Sequence, residues 1–277
     1  MVYVKVSKFI FLIFLVSLTA GCMDTGSLKE NIVTDEVNKL LPEGAVQENE
    51  FKAEETDLTG VGERVESITP RGIPEVPTYP KEKSGAVYPK EYRLLSQNFQ
   101  RAIGSGEERV GEEVFNITGK TSGYNMEDAC AVFNYVNRNW QYRYDKNAEF
   151  FFGASQTIDS GYVGDCDDYS IVMSALLKNM GFNTRVVTAY NESYGHAYPE
   201  LYIGNDRDTA YRILDYISEK YPSARNIWYS ERFLGEGQAK QYWLNFDWSG
   251  SNGYRHPGGE YFRGACIIYY PNGLIEF

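Results

Sequence analysis

Cys166, His196 and Asp247 are the side chains here whose types and order could together perform nucleophilic chemistry. A thiol becomes a strong nucleophile when a neighbouring base takes its proton. An imidazole serves best as that base when a carboxylate holds its tautomer. Such a trio attacks carbonyl carbon and passes through an acyl-enzyme. A buried structural cysteine is the ordinary alternative for any one thiol, so the surrounding elements have to decide.

Gly164–Gly181, GDCDDYSIVMSALLKNMG, reads as a turn feeding a helix with Cys166 in the first turn. Asp165 is a good N-cap, Asp168 stands three positions later, and Gly181 supplies the stop. Ile171, Val172, Met173, Ala175, Leu176, Leu177 and Met180 leave little polar face, which predicts a buried helix. First-turn N–H groups and the helix dipole favour a thiolate at Cys166, whereas the carboxylates of Asp167 and Asp168 oppose it. The expectation is that dipole and imidazolium win. Both acids would turn to solvent or first-turn N–H groups, and the thiol would titrate below its ordinary value of roughly 8.5.

Phe182–Tyr190 reads as a strand, Asn191–Gly195 as a turn, and His196–Ile203 as a returning strand headed by one of only two histidines. Tyr242–Trp248, YWLNFDW, is another aromatic strand with a single carboxylate, Asp247.

The pieces GDCDDYSIVMSALLKNMGFNTRVV, GHAYPELYI and WLNFD occur in the order of, and resemble, the motifs of the transglutaminase-like superfamily of papain-related cysteine enzymes. The resemblance covers about residues 130–250. It implies an α+β papain-like/transglutaminase-like core, with N-terminal helices and the Cys helix packed on an antiparallel sheet. It also implies Cys166 as nucleophile, His196 as base and Asp247 as the acid that orients it. One departure is the spacing: 51 residues separate His196 from Asp247, while Asp215 lies only 19 beyond the histidine. Asp208–Tyr221 reads as an amphipathic helix capped by Asp208, with Ile213, Leu214, Ile217 and Tyr221 at helical spacing. Gly204–Gln241 is therefore a helical insertion between the His and Asp strands, and Asp247 is preferred over Asp215.

Size and charge bound the rest. At 277 residues and 43% hydrophobic, the chain has room for one good-sized core plus appendages. A formal net charge of −11 argues against a nucleic-acid partner. Residues 1–22 read as a signal peptide, with Lys5 and Lys8 before the apolar run Phe9–Leu18. The segment ends in Leu18-Thr19-Ala20-Gly21-Cys22, which resembles a lipobox and predicts lipid on Cys22 of an exported, membrane-anchored protein. Residues 23–86 hold 14 Asp/Glu against 7 Lys/Arg and several prolines, the composition of a tether rather than a core. The globular domain is then 87–277.

Within it, Lys90–Ile103 reads as a helix, Glu107–Val114 as another turn or two, and Met126–Trp140 as a helix running into an extended aromatic segment. Gln156–Gly164 reads as the loop that delivers Cys166, and Arg263–Tyr270 as a final strand. His256 falls in a Gly-rich loop and is expected to be exposed, neither base nor ligand. Cys130 and Cys266 could bridge in an oxidising compartment or serve as small apolar residues. No CxxC, HExxH or EF-hand pattern occurs, so neither metal nor cofactor is expected. The expected substrate is a peptide, protein or cell-envelope amide. The alternative is a catalytically silent domain of the same shape that binds peptide or polymer at the envelope.

Overall fold

The structure is a computed structural model that describes residues 73, 74, 77, 88–144, 151–191, 195–233, 240–248 and 255–277. The signal segment, Cys22 and nearly all of the tether lie outside the described residues. No helix among those described is long and apolar enough to cross a membrane.

Three helices come first: α1 (Lys90–Ile103), α2 (Glu107–Thr118) and α3 (Met126–Asn139). Pro89 opens α1 and Gly104 closes it, which is why its bounds are those expected. Asn125 caps α3, accepting from the Glu127 and Asp128 N–H groups, while Asp128 reaches back to the Asn125 N–H at 2.9 Å. A two-residue strand β1 (Gln141–Tyr142), the short helix α4 (Ala154–Asp159) and strand β2 (Val163–Gly164) lead into α5 (Cys166–Asn179). The expected delivery loop thus contains a helical turn and a strand that pairs with β1 in parallel.

The main sheet has six strands: β3 (Thr184–Tyr190), β4 (Gly195–Gly204), β5 (Tyr229–Phe233), β6 (Lys240–Asn245), β7 (Ala265–Tyr269) and β8 (Ile275–Glu276). Their order is β5-β6-β4-β3-β7-β8 and every neighbouring pair is antiparallel. Helix α6 (Arg207–Lys220) is the insertion between β4 and β6. Its cap is Asp206, which accepts from the Thr209 N–H at 2.8 Å, and not Asp208. The insertion also carries the edge strand β5, which pattern alone does not disclose.

Helix α5 is the hub of the helical layer. It touches α1, α2, α3 and α4 on one side and β3 and β4 on the other. Eleven of its fourteen residues are therefore buried, including Ile171, Val172, Met173, Leu176 and Leu177. Truncating Leu176 to Ala there would cost about 2–5 kcal/mol.

The opposite face of the sheet is different. It buries Val187, Tyr198, Tyr202, Trp243 and Tyr270 around a charged pair. Arg185 donates to Glu200, to the Ser230 hydroxyl at 3.1 Å and to the Tyr270 hydroxyl at 3.1 Å. The guanidinium also lies 4.1 Å from the Trp243 ring centroid. Tyr261, from the segment that crosses this face, donates to Glu200 at 2.7 Å. Because every charge is paired, the network is tolerable in the interior; removing one member would cost about 3–5 kcal/mol.

Candidate active site

Cys166 is the first residue of α5, and its sulfur is buried. The approach to it is tightly specified. Tyr162 adopts φ 63°, a left-handed conformation uncommon for a bulky residue. Its hydroxyl donates to Glu113 at 2.8 Å and its carbonyl accepts from the Gln141 N–H at 2.8 Å, which hold it there. Gly164 is needed for space: a Cβ would lie 2.5 Å from the Asp168 side chain. That carboxylate accepts from the Phe152 N–H at 3.1 Å and the Asp165 N–H at 3.3 Å. Asp168 is thus buried and turned inward, not toward solvent.

Asp167 differs again. The Asp165 and Asp167 carboxyl oxygens and the Cys166 sulfur all lie within 4.8 Å of one another. Burial, then the charge and hydrogen bond of Asp165, push the Asp167 carboxyl well above the usual carboxylate range.

The thiol is correspondingly affected. Burial first, then Asp167 and Asp165, push Cys166 well above the ordinary cysteine value, and the Ala197 N–H on the sulfur pulls the other way. The expected depression of the thiol is therefore corrected: sulfur desolvation and the paired acids outweigh the helix start. Burial and the neighbouring acids thus favour the protonated thiol.

The Ala197 contact joins the cysteine to β4, where His196 precedes Ala197. His196 Nε2 faces Asp247 Oδ2 at 2.6 Å. With the Nε2–H donating to that carboxylate, Nδ1 is the nitrogen that can take a proton from a nucleophile. Asp247 is buried just past the end of β6. Asp215 is exposed on α6, where it borders Tyr211, Leu214 and Ile227, and has no part in this arrangement.

Asn245 is a residue that the sequence reading missed. Its side chain accepts from the Asp247 N–H at 2.8 Å and donates to the carbonyls of Gly259 at 3.0 Å and Glu260 at 3.4 Å. Its carbonyl accepts from the Gly258 N–H at 2.6 Å. One buried amide thereby ties the Asp247 turn to segment 255–263, whose Phe262 ring lies 5.9 Å from the imidazole. The signal was available in WLNFD, where Asn245 stands two residues before the acid, but its partners are distant in sequence.

His256 on that segment is buried, contrary to expectation. Its Nδ1 meets the Pro257 carbonyl at 2.9 Å, and burial lowers its basicity. Its ring neighbours that of Tyr221. Cys130 and Cys266 are both free thiols; Cys130 is fully buried in α3 and pushed up to about 12 by burial.

Aromatic rings line the side toward β1. Tyr142 packs on Trp248 at 5.6 Å, and Trp248 on Tyr169 at 6.2 Å. Tyr169 in turn donates its hydroxyl to the Phe246 carbonyl at 3.3 Å, bracing α5 against the strand that leads to Asp247.

An α+β core in which a helix-start cysteine takes the backbone N–H of Ala197, the residue after a strand histidine that is backed by a carboxylate, has the arrangement of a papain-like class. Residues 114–247 match the family model of the transglutaminase-like superfamily, which supports a transglutaminase-like core. A proposed cysteine protease from Cytophaga hutchinsonii is similar at 21% identity over 35% of this chain and 34% of that one. Its TM-score of 0.30 is too low to support anything about this site. No curated protein matches the chain.

Proposed function

We propose that this protein is a cell-surface thiol enzyme acting on amide bonds, with Cys166 as nucleophile, His196 as general base and Asp247 as its orienting acid. The observation that best supports the reading is the 2.6 Å contact of His196 Nε2 with Asp247, adjacent in the chain to the Ala197 N–H on the Cys166 sulfur. Because burial favours the protonated thiol, the proton leaves during attack. His196 takes it as the S–C bond forms, then returns it to the departing amine. The resulting thioester is resolved by water, giving peptidase or amidase activity, or by an amine, giving acyl transfer. We favour hydrolysis, which the family resemblance suggests for a microbial member.

The substrate is a peptide, protein or cell-envelope amide. Export through the 1–22 segment, lipid on Cys22 and a tether over 23–86 would hold the domain at the outer face of the membrane. Mass spectrometry of the native protein should find a lipidated Cys22 as the first residue. Equal membrane partitioning of a Cys22→Ala protein would remove the anchor from the account.

Activity is tested with quenched fluorescent peptide libraries and a labelled amine acceptor, on the wild type and Cys166→Ala. Turnover that requires Cys166 supports the enzyme reading. A second reading, a silent binding domain, draws on the burial of the sulfur and its raised thiol. It predicts peptide binding that survives Cys166→Ala, with no turnover in either protein.

A further inference from the structure

We propose that the Tyr142 hydroxyl is the second oxyanion donor of this site, acting with the backbone N–H of Cys166. The inference rests on the thiol acyl-transfer reading above and assigns a residue to a role that the triad leaves open.

The placement of Tyr142 is fixed by its neighbours. Strand β1 is only two residues long, yet it is pinned on both sides of Tyr142. The Gln141 N–H donates to the Tyr162 carbonyl at 2.8 Å and the Arg143 N–H to the Gly164 carbonyl at 2.8 Å. The parallel register sets Tyr142 opposite Gly164, two residues before Cys166. Its ring lies against Trp248, the residue after Asp247, with the planes tilted by 36°. Tyr142 thus spans from the segment that delivers the nucleophile to the segment that delivers the acid.

Two further features distinguish it from a packing aromatic. The residue is 50% exposed although its ring is pinned at the core's edge, so it is available to a bound substrate. Burial first, then the electrostatic influence of Cys166, Asp165 and Asp167, pushes the phenol above its ordinary value. The hydroxyl therefore keeps its proton at neutral pH and acts as a donor.

A donor there suits the chemistry. As the sulfur adds to the carbonyl carbon, the thiol proton passes to His196 and the carbonyl π pair moves onto oxygen. That oxygen, now negative, accepts from the Cys166 N–H, which has no intrahelical partner in the first turn. It accepts also from the Tyr142 O–H. When the intermediate collapses, the pair returns to the carbonyl and the amine leaves with the proton from His196. The phenol keeps its own proton throughout.

The test uses two probes on the full chain. p-Nitrophenyl acetate acetylates Cys166 through an oxyanion; iodoacetamide alkylates it by displacing iodide, with no oxyanion formed. Tyr142→Phe keeps the ring on Trp248 and removes only the hydroxyl. The expected result is acetylation slowed by about a hundredfold, the usual size of a lost oxyanion donor, with alkylation unchanged. Unchanged acetylation would overturn the proposal. Equal loss in both reactions would overturn it too, since the hydroxyl would then be shaping the site rather than holding charge. Trp248→Phe is the third arm, because the Trp248 Nε1–H is buried with no partner among the described residues. If that variant takes the acetylation loss and Tyr142→Phe does not, the donor is Trp248 and the proposal fails. Failure of the underlying reading looks different: Cys166→Ala protein would be acetylated as fast as wild type, whatever stands at 142.

Discussion

Cys166 and Cys130 sit on neighbouring helices of one helical layer, and both are buried. Burial pushes both up, Cys130 to about 12 and Cys166 well above its ordinary value. In both, burial is the largest cause and it favours the protonated thiol. What separates them is position along a helix. Cys130 lies inside α3, where backbone N–H groups are committed to the helix, and the Tyr221 hydroxyl reaches its carbonyl at 3.4 Å. Cys166 begins α5, beside first-turn donors and the β4 N–H of Ala197. A strand histidine with a carboxylate behind it stands next in the chain to that contact. The lesson is that a helix start does not make this thiol acidic. It places the thiol where another group can remove its proton at the moment of reaction.

That contrast can be broken at several points, most severely at Asp247. Asp247→Asn should slow acetylation of Cys166 by p-nitrophenyl acetate by about 10²–10⁴, because an amide no longer holds the imidazole tautomer. Asp215→Asn, on the exposed face of α6, should leave that rate as in wild type. A loss in the second variant and not the first would exchange the two acids.

Gly164→Ala should come next. Its new Cβ would meet the Asp168 carboxylate at 2.5 Å and drive it from the Phe152 and Asp165 N–H groups. Leaving such buried donors unpaired costs about 1–3 kcal/mol each, so thermal unfolding should drop by several degrees together with acetylation.

Asn245→Ala is expected to slow acetylation by about tenfold, equivalent to about 1.4 kcal/mol, because the Asp247 turn loses its tie to segment 255–263. A fall in stability with no change in the pH profile of acetylation would mean that the amide only holds the fold.

The smallest effect carries a sign. Asp167→Asn removes an acid that, once ionised, raises the Cys166 thiol, so at alkaline pH, where even this raised carboxyl gives up its proton, the thiol should titrate lower and alkylation should speed up. Cys130 in the same protein is the internal reference, since its thiol is raised chiefly by burial. A slower Cys166 would show that Asp167 assists the sulfur rather than opposing its charge.

How much of this was readable from residues alone divides along physical lines. The Cys helix and the two strands after it were legible because each depends on local pattern: a capping acid, an all-apolar helix, strands headed by turns. The bounds of α1 followed from Pro89 and Gly104. Strand β5, YSERF, was not legible, since it alternates weakly and owes its existence to pairing with β6. Helix α2 ran a full turn beyond its expected end, carried past Val114 to the left-handed stop at Gly119. Asp206 and Asp208 are both fair caps, and only the Thr209 N–H decides between them. The errors at the site have one cause. Asp168, His256 and the Cys166 sulfur are all buried by segments remote in sequence, and desolvation is invisible until those segments are placed.

The central claim is that His196 supplies the proton acceptor a buried, neutral Cys166 lacks. The most direct measurement is the rate of Cys166 acetylation by p-nitrophenyl acetate against pH, read by intact mass and peptide mapping, for wild type and His196→Ala. The account predicts a wild-type rate already established near pH 7 and about 10²–10⁴ faster than the variant, whose residual rate climbs only as the thiol itself ionises above pH 9. Two coincident profiles, both rising only above pH 9, would make Cys166 a second Cys130 and contradict the account.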